Sequence, residues 1–530
     1  MQQPSLGWAD KIAKELLKRN KEMYIFHGMW TPSGFFHIGN ARSEIFTPYA
    51  VRHALESYNK KCIQNFIIDD FDVIRKIPSG LNIAKEEYDG YLGYPCALAK
   101  SPLPGFKTWA DAFVSNVKEF LPKYGIKVNF ISAYETYKDG KFNYAIKLAL
   151  DNSKKIVHIW NKIANANKPE NFLPIQILCP KCKKLTTEAK EWFSEEEKVS
   201  FICKNPNCKY EAIISPYNGN AKLHWRVHWA AHWHYYKVDF ESGGKDHFAA
   251  GGSVEVSRAF LKEIFNYKEH PLGVPTEFVQ VSGKKMAGSV GNIISLEEWL
   301  KVGSAELFRF LNFIYRPQTA IDLSLDHQNF LLLYERFERA ERIYFNAERA
   351  ENEKIETLYK RAYRLSILKE RKRLCQAPFS TLIQLVQFKN LEEIPKILIT
   401  LKMIPSDLTK EEENEIIEKC KRAKYWINKY APERLKIKFV ETPPKIKLND
   451  NEIKAIKAAV KLIQEANSID SLQKELFEVK KKFNIDSKKF FKVFYNALIA
   501  KDYGPKLATL IFTLGKEKVI KRLNELITSS

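Results

Sequence analysis

Apolar positions change their period along this chain, and the changes outline its elements. Residues 8–20, "WADKIAKELLKRN", place apolar side chains at helical spacing, and "MYIFHGM" (23–29) is then an almost unbroken apolar run of strand length. "HIGNARSEIFTPYAVRHALE" (37–56) returns to helical spacing, and "CIQNFIIDDFDVI" (62–74) gives a second buried strand ending in acids. Strand, turn, helix and strand in this order form a βαβ unit, which implies parallel strands. Ligands of such sheets bind beyond the carboxyl ends of the strands. The turn "TPSGFFHIGN" (31–40) and the cluster Asp69-Asp70-Phe71-Asp72 both fall at such ends. Residues 90–225 read as an insertion, with helices near 107–122 and 141–167 ahead of a cysteine cluster. β-like segments return at "YKVDFESGGKDH" and "TEFVQVSGKKMAGS", with a helix near 253–266 between them. From 296 onward the period is helical, broken most clearly at "ETPPKIKLNDNE" (441–452). The pattern predicts an α/β parallel-sheet domain with an insertion, followed by an all-α C-terminal domain.

At 530 residues the chain exceeds a single core and implies two to four domains. No apolar run reaches the length of a membrane span, and the polar start is unlike a signal peptide, so a cytoplasmic protein is expected. The formal charge of +22 changes the picture more. Residues 331–530 hold 42 Lys+Arg against 28 Asp+Glu, so about +14 of the excess lies in the helical part. A concentrated positive charge fits a polyanionic partner.

Of eight cysteines, Cys62, Cys96, Cys375 and Cys420 stand singly and read as inert thiols. Cys179 and Cys182 in "CPKC", with Cys203 and Cys208 in "CKNPNC", form two close pairs separated by twenty residues. Four thiolates so spaced suit a tetrahedral Zn²⁺, and four sulfurs leave no open position, so the site is expected to be structural. His224, His228 and His232 recur along one helix face, which fits an aromatic-rich packing helix better than a second metal site. "VSGKKMAGSVGN" (281–292) sets Lys284, Lys285 and Ser289 among glycines, a loop able to approach phosphate.

Together, "TPSGFFHIGN" and "KKMAGS" resemble the HIGH and KMSKS signatures of class I aminoacyl-tRNA synthetases, and most closely those of the class I lysyl-tRNA synthetases. "DDFDVIRKIP", "YLGYP", "NFLPIQILCPKC", "WRVHW", "VDFESGGKDHFAAGGS", "RFLNFIYRP" and "YAPERLKIKF" resemble the same family in the same order, over residues of about 22 to 440. The resemblance implies a Rossmann-type catalytic domain, with its first half at 1–90 and its second at 225–295, split by a zinc-ribbon-bearing insertion at 91–224. A stem-contact region (296–340) and an α-helical anticodon-binding domain (341–530) would follow. It also implies the substrates lysine, Mg²⁺-bound ATP and tRNA-Lys, with lysyl-adenylate formed first and the lysyl group then passed to the terminal 2′-hydroxyl. A monomer is expected.

The residue chemistry agrees. In-line attack on an α-phosphate needs donors for developing charge and no protein nucleophile. His37 and Asn40 at a helix start, and Lys285 from the opposite side, are the candidate catalytic groups. Thr31, Ser33, Gly39, Lys284 and Ser289 are the candidate ATP contacts, and Gly28, Asp69, Trp229, Asp246 and His247 the candidate substrate contacts. A buried substrate ammonium needs a carboxylate, offered by Asp69, Asp70, Asp72, Asp239, Glu241 or Asp246, with Trp229 and Trp233 as walls. The chain departs from the family at Ala287, where a loop Ser is usual, and at His228, where many members have Asp. Two rival readings are an enzyme adenylating another small molecule and a non-catalytic tRNA-binding paralogue.

Overall fold

The computed structural model describes residues 7–529 apart from 79, 82, 282, 287–292, 327 and 443–445. The chain divides into two compact units. The first comprises residues 1–299, 305–323 and 349–370, and the second 300–304, 324–348 and 371–530.

The first unit is built on a parallel sheet. Strands β1 (Met23–Trp30) and β2 (Lys61–Ile68) run side by side from Met23↔Lys61 to Trp30↔Ile68, as the two apolar runs predict. β3 (Asn129–Ser132) pairs with the outer edge of β2. In the insertion, β4 (Ile175–Ile177) pairs antiparallel with β8 (Ala221–Leu223), bracketing the antiparallel ribbon β5 (Thr187–Phe193), β6 (Lys198–Cys203) and β7 (Glu211–Ile214). The main sheet resumes with β9 (Phe240–Glu241) beside β1, giving the order β3-β2-β1-β9, all parallel. Phe240 bridges Leu272 in parallel, and β10 (Gly243–Gly244) pairs with β11 (Pro275–Thr276) in the same sense. The chain therefore crosses from one edge of this sheet to the opposite edge through the insertion. The strand order turns around between β1 and β9, where a doubly wound fold opens its crevice.

Helices fall where the pattern set them. Trp8–Leu17, Trp109–Phe120 and Ser253–Glu263 match the expected segments. The segment 141–167 is two helices, Asn143–Asp151 and Ser153–Ala164. Trp109–Phe120 starts at a reciprocal cap between Thr108 and Asp111. One apolar core joins the underside of the sheet, the insertion and the helix Trp225–Tyr236, and it contains Ile67, Phe71, Ile146, Phe201, Ala230 and Phe260.

Among its described residues the second unit contains only helices. Asp450–Glu465, Ile469–Lys482, Ser487–Ile499, Leu507–Leu514 and Lys516–Ser529 enclose a core that includes Leu472, Phe494, Leu510 and Leu523. The break at 441–452 ends at Asn449, which caps Asp450–Glu465 in a reciprocal box with Glu452. Lysines that cannot enter this core give its surface the positive charge read from the sequence.

Candidate active site

β1 ends at Trp30, and after the turn His37 opens a helix. Its Nδ1 accepts from the Gly39 and Asn40 backbone N–H groups at 3.1 and 3.3 Å, while Asn40 Oδ1 accepts from the His37 N–H at 3.4 Å. An imidazole accepting at Nδ1 carries its proton on Nε2, so this cap fixes His37 as an Nε2–H donor. Gly39 serves the same geometry. A Cβ there would lie 2.9 Å from His37 Nδ1, and 3.8 Å from Val279 Cβ.

The helix then widens into a π-turn, Ala41–Phe46, before Thr47–Glu56 resumes α geometry. Side chains satisfy carbonyls around this bulge: Thr47 Oγ1 donates to Arg42 O at 2.8 Å, Gln64 Nε2 to Ile45 O at 2.9 Å, and Ser242 Oγ to Ser43 O. Gly28, expected as a substrate contact, admits no side chain, because a Cβ would lie 1.7 Å from Glu44 O. The bulge holds the Glu44 carboxyl beside the end of β1, where Oε2 accepts from the Met29 N–H at 3.5 Å.

Glu44, partly buried, faces the buried acid Glu241 at the end of β9. Burial pushes Glu44 up to about 8 and Glu241 up to about 7. Trp233 Nε1 donates to Glu241 Oε2, but Glu241 Oε1 and Trp229 Nε1 are buried with no partner. Among the described residues neither acid makes an ion pair. His247 lies against this wall, its ring 5.4 Å from that of Trp229, whereas Asp246 is exposed. Trp229 and His247 are thus brought together, and Asp246 is directed to solvent.

The other acids named from the sequence are already engaged. Both Asp69 oxygens accept from Lys222 Nζ, at 2.7 and 2.9 Å, with these side chains 1% and 4% exposed. His228 Nε2 stands 3.8 Å from Asp69, and its Nδ1 is hydrogen-bonded to Tyr137 Oη at 2.8 Å. Burial pushes His228 and His232 well below the ordinary histidine range, so both are neutral core residues, as the packing-helix reading expects. Asp70 accepts from Ser132 Oγ and the Tyr134 N–H, Asp72 pairs with Arg75, and Asp239 pairs with Arg19 and Lys21.

The lysine-bearing loop begins as a hairpin. β12 (Val279–Val281) pairs antiparallel with β13 (Lys284–Lys285), register Gln280↔Lys285, and parallel with β14 (Ile321–Asp322). Gly283, at φ +71°, donates its N–H to Asp322 Oδ2 at 3.2 Å. Lys284 is exposed. Ser289 and the Ala287 departure lie outside the described residues. Thr31 and Ser33 are half-buried in the turn before His37, joined by Ser33 N–H to Thr31 O at 2.8 Å.

Away from this crevice, the Sγ atoms of Cys179, Cys182, Cys203 and Cys208 all lie within 4.8 Å of one another. The pairs Cys179–Cys208 and Cys182–Cys203 are 3.8 and 3.6 Å apart. Sulfurs at the corners of a tetrahedron around a metal at 2.3 Å would be about 3.8 Å apart, so the set fits one tetrahedral ion. Each knuckle closes on a lysine in the left-handed region, Lys183 at φ 58° and Lys209 at φ 48°. Among the described residues no other group of histidine, cysteine and acidic side chains could hold a metal.

A family model described as "tRNA synthetases class I (K)" matches residues 6–369, and one described as "Anticodon binding domain" matches 384–527. The chain belongs to the class I (K) tRNA synthetases. It is 38% identical to a lysine–tRNA ligase of Thermococcus kodakarensis, over 97% of this chain and 99% of that one. It is 32% identical to one of Methanocaldococcus jannaschii over 98% and 99%, and 31% identical to one of Borreliella burgdorferi over 97% and 98%. Within the synthetase fold, sequence reading missed Glu44, Arg42 and Lys222. Glu44 and Arg42 did leave a signal, as charged residues on a helical stripe otherwise filled by Ala41, Ile45 and Phe46. Lys222 left none.

Proposed function

We propose that this chain is a lysine–tRNA ligase that activates lysine with ATP and transfers it to tRNA-Lys. The observation that carries the reading is buried Glu241 with partly buried Glu44 facing it, walled by Trp229 and Trp233 and, among the described residues, without an ion pair. Two buried acids without a counter-charge are costly unless a ligand supplies one. A lysine side chain puts an ammonium about 6 Å beyond its α-carbon, behind four methylenes that suit indole walls. Glutamate or an apolar substrate would bring no cation to these carboxyls, and glutamine only neutral amide donors.

In the activation step a lysine carboxylate oxygen attacks the α-phosphorus of Mg²⁺-bound ATP, and pyrophosphate leaves. His37 donates from Nε2–H to phosphate oxygens, helped by Asn40 and the helix start, and Lys285 acts on the leaving pyrophosphate. Lys284 and Ser289 support that lysine, while Thr31, Ser33 and Gly39 shape the nucleotide side of the turn. The terminal 2′-hydroxyl of tRNA-Lys then attacks the lysyl carbonyl, and AMP leaves. The cysteine set holds one Zn²⁺ and stiffens the insertion, taking no part in the chemistry. The helical region from about 341 reads the anticodon as part of a cytoplasmic monomer; its positive charge and the match at 384–527 support that role. ATP–pyrophosphate exchange with each of the twenty amino acids tests the reading. Lysine alone should support exchange. Exchange with a different amino acid, or with none, would replace it by one of the two rival readings.

A further inference from the structure

Arg42 is a buried guanidinium that, among the described residues, makes no ion pair, the Glu277 carboxylate acting on it only through space. It is 1% exposed, and burial pulls it down to about 10. Its donors go to three backbone carbonyls: Nη1 to Glu277 O at 3.1 Å, and Nη2 to Arg316 O at 2.9 Å and Thr319 O at 3.1 Å. Those carbonyls are not scattered. Glu277 lies two residues before β12, and Arg316 and Thr319 precede β14, so all three lie at the base of the small sheet that carries Lys284 and Lys285. Arg42 itself sits two residues after Asn40, in the π-turn of the helix His37 caps. A second tie runs alongside, from the Ile38 N–H to Ile294 O at 2.9 Å, just beyond the loop.

We infer that Arg42 is a positioning residue that locks the base of the Lys284–Lys285 hairpin to the helix capped by His37. The proposal rests on the phosphate roles given above to His37 and Lys285. Two groups that act on one transition state from opposite sides must be held in register, and a misplacement near 1 Å costs about 10² in rate. Only arginine supplies a planar fork that can serve three carbonyls at once; a lysine offers one nitrogen. The π-turn gives the local reason for its direction, because the extra residue in that turn lets Arg42 and Glu44 serve different neighbours.

The test is a double-mutant cycle on activation, with Arg42→Lys and Lys285→Ala singly and together, read by pre-steady-state adenylate formation. Arg42→Lys alone should slow adenylate formation about ten- to hundredfold, leave the lysine KM within about threefold, and leave transfer from supplied lysyl-adenylate to tRNA unchanged. In the Lys285→Ala background the same substitution should cost less than about threefold, since the group it positions is gone. Asp322→Ala, which releases the Gly283 N–H at the other end of the hairpin, should show the same pattern more weakly. Equal cost of Arg42→Lys in both backgrounds, equal loss of activation and transfer, or an Arg42→Lys protein without cooperative unfolding would overturn the proposal. A Lys285→Ala enzyme forming adenylate at the wild-type rate would instead remove the role of Lys285, and the Arg42 inference with it.

Discussion

Two buried acidic settings lie at the carboxyl ends of neighbouring strands, and they are built in opposite ways. At the end of β2, Asp69 is closed off by Lys222, a cation the chain brings from 153 residues away. At the ends of β1 and β9, Glu241 is buried and Glu44 partly so, yet among the described residues neither makes an ion pair. The chain neutralises one acid internally and leaves the other two without an ion pair among the described residues, which is the contrast the proposed lysine pocket rests on. The first setting holds the insertion to the sheet, since Lys222 belongs to β8. The second lies beside the helix start and faces aromatic walls.

The largest expected effect separates the two by stability. Lys222→Met leaves Asp69 buried and unpaired, so unfolding free energy should fall by about 3–5 kcal/mol, and adding Asp69→Leu should recover most of it. Chemical denaturation checks both, and an unchanged midpoint in Lys222→Met would break the contrast. Glu241→Gln should behave in reverse. Folding stability should hold or rise, because a buried acid without a counter-charge is removed, while the lysine KM should rise about 30- to 150-fold as roughly 2–3 kcal/mol of ammonium binding is lost. Loss of stability without a change in KM would mean that Glu241 is a structural acid like Asp69.

The smallest effect is a pH dependence. Glu44 at about 8 and Glu241 at about 7 hold protons in the empty pocket well above the ordinary carboxyl range. An arriving ammonium favours the ionised forms, so binding releases protons and must strengthen as pH rises toward 8. Lysine affinity should increase at least about tenfold between pH 6 and pH 8, the effect of ionising Glu241 alone from about 7 across that window. Calorimetry across that range reads it, and affinity that is flat, or that falls, contradicts the charge state assigned to the pair.

The sequence made much of this legible, and the gaps have definite causes. Strands β1 and β2, the helix start at His37 and the cysteine knuckles are local patterns, so spacing alone identified them. Asp69 and Asp246 were grouped with the substrate by position near strand ends, and position does not say that Asp69 meets Lys222 or that Asp246 is exposed. Asp69 needed knowledge of Lys222, and nothing in "NAKLHW" marks that lysine as buried. Glu44 left a signal on the apolar stripe, but an even helix gives it no reason to face inward. An ordinary α period puts 37–56 on one regular stripe, whereas the π-turn over Ala41–Phe46 resets the register and aims Glu44 and Arg42 inward. The short β9 and β10 were anticipated as one longer β segment, and their brevity follows from Ser242 leaving the sheet to bond the π-turn.

The central claim is that Glu44 and Glu241 together select the substrate by its ammonium. Its most direct test compares lysine with 2-aminoheptanoate, the same chain ending in methyl, as substrates for ATP–pyrophosphate exchange in the wild type and in Glu44→Gln/Glu241→Gln. The wild type should favour lysine by about 10³ or more in kcat/KM, and the double variant should lose most of that preference while remaining folded. A double variant that still favours lysine by the wild-type factor would contradict the claim.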